Sequence, residues 1–311
     1  MGAEKNRLME HYSNKKNWMK WGPYLSERQW GTVREDYSEH GSAWDFFPHE
    51  HARSRVYRWG EDGLAGISDD KQRLCLSVAL WNGNDPILKE RMFGLTGPEG
   101  NHGEDCKELY YYLDNTPTHS YQKHLYKYPH AAYPYADLVD TNMQRSKEEN
   151  EYELIDTGVF DEHKYFDVFS EYAKADDEDI LLRITVHNRG NEDAAITVLP
   201  QIWFRNLWSF GLMNKKPQIS AAKGTANYQM VVLTHEELGS YHYYFEAASH
   251  CLFTENENNH RKLWGTGDHS VYVKDLFHDA VIQNRYDEFS DKTSGTKFTP
   301  VYSRLVKAGG S

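Results

Sequence analysis

Carboxylates, guanidinium groups and large aromatic rings crowd together between Ser26 and Asp69, in the string SERQWGTVREDYSEHGSAWDFFPHEHARSRVYRWGEDGLAGISD. The candidates for chemistry there are Arg28, Trp30, Arg34, Glu35, Asp36, Trp44, Asp45, His49, His51, Arg55, Trp59, Glu61 and Asp62. Aromatic rings offer an apolar platform with a polar rim, while carboxylates and Arg forks bind hydroxyls, which together describe a polyol-binding groove. The same residues equally describe a buried ion-pair network that pins a long loop to a sheet. A long irregular segment in a compact domain is often functional or interface-forming.

A second cluster is Gly100-Asn101-His102-Gly103-Glu104-Asp105, a glycine-flanked acidic loop that can place His102, Glu104 or Asp105 at a cleft, or simply connect two strands. It is not a phosphate loop, because no Gly-Lys-Ser/Thr follows and its acids repel phosphate. His49-Glu50-His51 puts two imidazoles at i and i+2, which on a strand would project together. It is not a His-Glu-x-x-His helix pattern and spacing fixes no third ligand, so neither a metal nor a cofactor is expected. No Gly-x-Ser-x-Gly elbow and no Rossmann fingerprint occurs. Acids are abundant, yet spacing alone picks out no pair that must face each other.

The elements that would position these residues are strands. Ile180, Leu182, Ile184 and Val186 alternate with Leu181, Arg183, Thr185 and His187, a period of two with one wetter face. Turn chemistry at Asn188–Asp193 leads into Ala195–Phe204, and the two runs read as an antiparallel hairpin or close neighbours. Further strands are expected at Arg73–Trp81, Leu109–Leu113, Tyr121–Tyr128, Glu151–Ile155, Tyr165–Ala173, Gln229–Thr234, Ser240–Ala247, Cys251–Thr254, Ser270–Val273 and Thr299–Val306. With no interleaved helices of the usual crossover length, the fold class is all-β, a large antiparallel sandwich. Residues 3–20 are the one helical stretch, ended by Gly22-Pro23 and expected to pack outside a sheet. Residues 1–22 thus form a helix and lead-in, and 23–311 a single sandwich domain.

The chain has 311 residues, 14% of them aromatic, including 22 Tyr and 9 Trp, which suits strands as well as sugar-facing surfaces. Its formal charge of −12 repels nucleic-acid backbones. Three cysteines, Cys75, Cys106 and Cys251, are too few and too scattered for a disulfide framework or a zinc site. No apolar run has the length of a membrane span and the first residues lack a secretory signal, so the expected setting is cytoplasmic.

Several long strings resemble the front portion of glycoside hydrolase family 63 proteins. They are Trp21–Ser38 (WGPYLSERQWGTVREDYS), Ala43–Asp69, Leu80–Tyr121, Glu151–Ala175, Leu199–Phe210, Leu252–Asn259 and Gly295–Ser311, so the likeness runs from about residue 16 onward. The resemblance implies a large galactose-mutarotase-like sandwich followed by a helical (α/α)6 barrel. In that family the barrel carries the general acid and base and inverts configuration at α-linked glucose. The chain stops at Ser311, near where the sandwich should close. The resemblance therefore implies no catalytic residue here, and a chain inactive by itself. Its implied partners are a helical catalytic domain and an oligosaccharide, with no nucleic acid and no membrane. The residues that would border the barrel are Arg28, Trp30, Arg34, Glu35, Asp36, Trp44, His49, His51, Arg55, Trp59, Glu61, Asp62, His102, Glu104 and Asp105, and that surface should expose apolar side chains. The alternatives are a stand-alone carbohydrate-binding sandwich and an aldose-epimerase-like enzyme.

Overall fold

A computed structural model describes residues 2–32, 48–103, 105–267 and 272–311. Of the sequence candidates, Arg34, Glu35, Asp36, Trp44, Asp45 and Glu104 lie outside the described residues. The fold is an all-β antiparallel sandwich. Among the described residues the strands are β1 (Trp21–Gly22), β2 (Leu64–Asp69), β3 (Leu74–Trp81), β4 (Gly94–Leu95), β5 (Asp105–Cys106), β6 (Tyr110–Asn115), β7 (Tyr121–Pro129) and β8 (Tyr165–Asp176), then β9 (Asp179–Asn188), β10 (Ala194–Phe204), β11 (Gln218–Ala222), β12 (Gln229–His235), β13 (Gly239–Phe245), β14 (His250–Thr254), β15 (Ser294–Gly295) and β16 (Lys297–Val306). Short helices α1 (Ala3–Tyr12), α2 (His49–Ala52), α3 (Tyr135–Gln144), α4 (His260–Trp264) and α5 (Leu276–Ile282) decorate them.

The central layer is a six-stranded sheet in the order β1-β2-β3-β10-β16-β14. Two four-stranded sheets, β6-β7-β8-β9 and β13-β12-β11-β15, cover one of its faces. The packing follows the pleat. Even-numbered side chains of β3, β10 and β16 (Leu74, Leu76, Val78, Ile196, Ile202, Phe204, Phe298) turn into the sandwich, where they meet Tyr126, Phe166, Tyr172, Ile219 and Val231. Odd-numbered ones (Ala79, Leu199, Val301) turn the other way, against α5 through Leu276, Phe277, Ala280 and Val281. Most of the central sheet is thus covered on both sides, by strands on one face and by helix and irregular chain on the other, while residues 303–305 near the end of β16 are exposed.

The expected faces of Ile180–His187 are borne out: Ile180, Leu182, Ile184 and Val186 pack inward, while Leu181 is 58% exposed. The expected pairing with the next strand is not. Among the described residues β9 pairs with β8 at the edge of its sheet, whereas β10 pairs with β3 and β16 in the central sheet. The turn after Asn188 carries the chain from one layer of the sandwich to the other.

Glu151–Ile155 is no strand either: Leu154–Thr157 is a 3-10 turn closed by a reciprocal Glu153–Asp156 capping box. Residues 272–273 lie outside any strand and the rest of the expected Ser270–Val273 run is not described. The first helix is shorter than expected, ending at Tyr12 with Asn14 in a left-handed conformation (φ 56°). It has no buried residue and is held by its charge, because Glu4 accepts hydrogen bonds from Thr118 and Ser120 in the β6–β7 turn. α3 is a ten-residue helix that the alternation pattern did not reveal. It belongs to the β7–β8 connection, whose Tyr133, Leu138 and Leu154 form a small satellite core with Phe93 and Leu95.

Candidate functional site

Of the charged residues singled out between Ser26 and Asp69, Glu61 and Asp62 are found on the face of the central sheet opposite the sandwich. Along β10 the odd positions Gln201 and Trp203 face this side, opposite Ser77 and Cys75 of β3. Trp203 also pairs with Lys297, the first residue of β16, and Lys297 in turn with Thr254. These rows form a floor. Over it, Glu61 and Asp62 arrive just before β2, and Glu90 and Arg91 follow β3 on a loop tied back by reciprocal Leu80–Lys89 backbone bonds. Asn256 comes just after β14, and Lys274 just before α5. Gly63 permits the approach of the Glu61–Asp62 segment, since a Cβ there would lie 2.6 Å from the Ser77 Cβ.

Three carboxylates and three cations meet here, none more than 4% exposed. Lys297 Nζ lies 2.9 Å from Glu90 Oε2, Arg91 Nη1 lies 3.2 Å from Glu90 Oε1, and Arg91 Nε lies 3.4 Å from Asp62 Oδ1. Lys274 Nζ donates to the Arg55 carbonyl at 2.6 Å and sits 3.9 Å from the centre of the Tyr57 ring. Asn256 Nδ2 donates to the Phe204 carbonyl at 3.0 Å and to Glu61 Oε1 at 3.3 Å. Charges this deep survive only when paired.

The pairing divides the acids. Burial pushes Glu61 up to about 7, with Asp62 adding to it and Lys274 only partly opposing it. Burial would raise Glu90 too, but Lys297 and Arg91 together outweigh it and hold the carboxyl at about 2. Burial, reinforced by Arg91, draws Lys274 down to about 8. Between these groups lies a cavity of about 10 Å³. That is about the space one water needs, and far below the several hundred Å³ of a site for a sugar.

The remaining candidates separate into three places. Trp30, fully buried, donates from Nε1 to the Met92 carbonyl at 3.2 Å and carries the Arg28 guanidinium 5.1 Å from its ring centre. Arg28 also reaches the Leu95 carbonyl at 3.2 Å. His49 packs in the same region, stacked on Tyr135 at 5.8 Å with the edges of Trp30 and Phe93 nearby. Burial and the charges of Lys89 and Arg91 hold His49 neutral, well below the ordinary imidazole range. His51 is exposed, and because the pair sits on a short helix the two rings do not project together.

Arg55 and Trp59 lie at the surface of the same layer. Trp59 is 63% exposed with Arg58 4.4 Å from its ring, and Trp264 is 46% exposed with Arg55 5.7 Å from its ring. His102 and Asp105 are elsewhere. His102 Nε2 contacts the Glu149 carbonyl at 2.8 Å. Asp105 joins Glu151 and Glu153 around the buried ammonium of Lys107, at 2.6, 2.8 and 2.9 Å. Three clustered carboxylates have the makings of a cation site, but here the lysine is the cation.

Sequence reasoning missed Glu90, Arg91, Gln201, Asn256, Lys274 and Lys297. Nothing local marked them: Glu90 and Arg91 sit in the charged run Lys89-Glu90-Arg91, Lys274 is followed by Asp275, and Lys297 stands just ahead of the expected strand Thr299–Val306. Among the described residues no helix is long and apolar enough to cross a membrane.

No protein-family model matches the chain. It is 46% identical over 334 aligned positions to the uncharacterized protein YMR196W of Saccharomyces cerevisiae. The alignment takes in 96% of this chain but only 30% of the yeast protein, so the chain spans less than a third of that relative's length.

Proposed function

We propose that this chain is a non-catalytic supporting domain of a larger glycoside hydrolase of the family 63 type, acting on α-linked glucose in oligosaccharides. The observation that carries the reading is the fate of Glu61 and Asp62. They are locked in a buried layer of balanced charge around a hole of about 10 Å³, so they brace the loops rather than form a cleft that a sugar can enter. The loops so braced present two exposed indoles, Trp59 and Trp264, each beside an Arg. Aromatic and Arg side chains are the usual anchors of protein interfaces, and a helical catalytic domain is the partner this reading supplies. The much greater length of the yeast relative leaves room for such a domain. The three free thiols fit a reducing, cytoplasmic setting.

One observation favours a second reading, an enzyme in its own right. Glu61 near 7 and Glu90 near 2 are two carboxyls pushed apart by their surroundings, as acid–base partners are. A single pair of assays separates the readings. The isolated chain and the full-length yeast relative are each given 4-nitrophenyl α-glucoside and glucose disaccharides, and mutarotation of glucose is followed by polarimetry. The supporting-domain reading expects hydrolysis by the long protein and none by this chain. Turnover by this chain that disappears in Glu61→Gln establishes the second reading, and a long protein that is inert toward every α-glucoside removes the first.

A further inference from the structure

We infer that the cavity beneath Glu61 and Asp62 is a binding site for one water molecule, which completes the buried ion layer. Three oxygens of cavity-lining residues meet no donor: Asp62 Oδ2, Gln201 Oε1 and Asn256 Oδ1, on side chains that are 3%, 2% and 1% exposed. A buried polar atom without a partner is strongly unfavourable, and three around one hole of about 10 Å³ mark a ligand site the size of a water.

The donor and acceptor count identifies the ligand. The Asn256 amide is fixed in one pose, because its nitrogen already serves the Phe204 carbonyl and the Glu61 carboxyl. Gln201 is not fixed. Among the described residues its one side-chain partner is the Ser77 hydroxyl at 3.1 Å, which can donate as well as accept. With the amide turned over, Oε1 accepts from Ser77 and Nε2 faces the cavity as a donor. The unmet acceptors are then Asp62 Oδ2 and Asn256 Oδ1, matching the two protons of a water. That water accepts in return from Gln201 Nε2 and from Lys274, whose ammonium donates to one carbonyl and has protons to spare.

A metal cation fits worse. Glu61, Asp62 and Glu90 already face Arg91, Lys274 and Lys297, so an added positive charge would be uncompensated in a buried layer. An anion fits worse still, because Asp62 Oδ2 and Asn256 Oδ1 are acceptors that would face it with no proton between.

A crystal structure of the chain at about 1.5 Å or better tests the assignment, with hydrogen bonds recognised at about 2.6–3.2 Å. One density peak at oxygen strength, contacting Asp62, Asn256, Gln201 and Lys274, is expected. A featureless cavity overturns the inference, and so does an anomalous peak there after a thallium(I) soak, which marks a cation site. In solution, ¹⁷O relaxation dispersion should count one fewer long-lived water in Gln201→Met than in the parent chain. An unchanged count overturns it, and if that variant does not fold the density in the parent chain decides.

Discussion

The Lys297 ammonium lies 2.9 Å from the Glu90 carboxylate, and neither side chain is more than 3% exposed. The contact fastens the start of β16 to the loop that follows β3. Breaking such a pair from one side strands a buried charge, at a cost of about 3–5 kcal/mol. Lys297→Met should therefore lower the urea midpoint sharply, and Glu90→Gln more so because Arg91 loses the same partner. The double variant should recover part of the loss relative to the sum of the singles. Strict additivity in the double-mutant cycle would mean that the two groups do not depend on each other.

The buried acids should give stability an uneven dependence on pH. Glu90 falls from its ordinary 4.5 to about 2 on folding, so its contribution is complete above about 4.5 and is lost as pH falls toward 2. Glu61 does the opposite, rising from 4.5 to about 7. The folded state then holds a proton that the unfolded state has released, and stability declines as pH rises from 4.5 to 7. Lys274 and Lys174 fall from 10.5 to about 8, which makes stability rise again between 8 and 10.5. Urea melts across this range should show that Glu61→Gln flattens the decline between 4.5 and 7. A variant curve parallel to that of the parent there would rule out Glu61 as its source.

Lys107 holds Asp105, Glu151 and Glu153 together from inside. Lys107→Met leaves three carboxylates facing one another. Because the acids are partly exposed the expected cost is only about 1–3 kcal/mol. The informative readout is rescue: millimolar calcium should raise the melting temperature of the variant and leave the parent unchanged. Equal responses of both proteins would mean that the lysine does not stand in for a metal.

Lys174 is a buried ammonium with no carboxylate on it among the described residues. It donates to the carbonyls of Trp18 at 2.5 Å, Trp21 at 2.6 Å and Thr118 at 3.4 Å, so β8 clasps the lead-in to β1. The lead-in is held again where Lys16 and Lys20 pair with Asp176 and Glu178 in the β8–β9 turn. Lys174→Met should speed limited proteolysis between residues 13 and 20, while the central sheet keeps its amide protection. Cleavage at the parental rate would show that the surface pairs suffice.

What the sequence disclosed followed from how local each signal was. The inward face of Ile180–Val186 needed only alternation, and β3, β7, β8, β10 and β16 were located for the same reason. Which sheet a strand joins is a non-local choice. β9 and β10 look like a hairpin because nothing in Asn188–Asp193 reports that the chain is changing layers. α5 escaped because LFHDAVI is covered almost all round, which erases the helical stripe. Of the ion layer, Glu61 and Asp62 stood in a conspicuous cluster. Glu90, Lys274 and Lys297 acquire meaning only when three distant loops and the start of β16 converge.

A sheet clad over most of both faces also sets an order of events. Water can reach the ladder of β3 with β10, and of β10 with the buried first half of β16 (residues 297–301), only after the paired outer sheets or the helical cover have lifted away. These amides should be the last to exchange with deuterium, and the energy needed to open them should equal that of melting the whole chain. The loops pinned through Glu90 and Lys297 hang from this slowest-opening layer, so a partner gripping Trp59 or Trp264 would pull on the most durable part of the molecule.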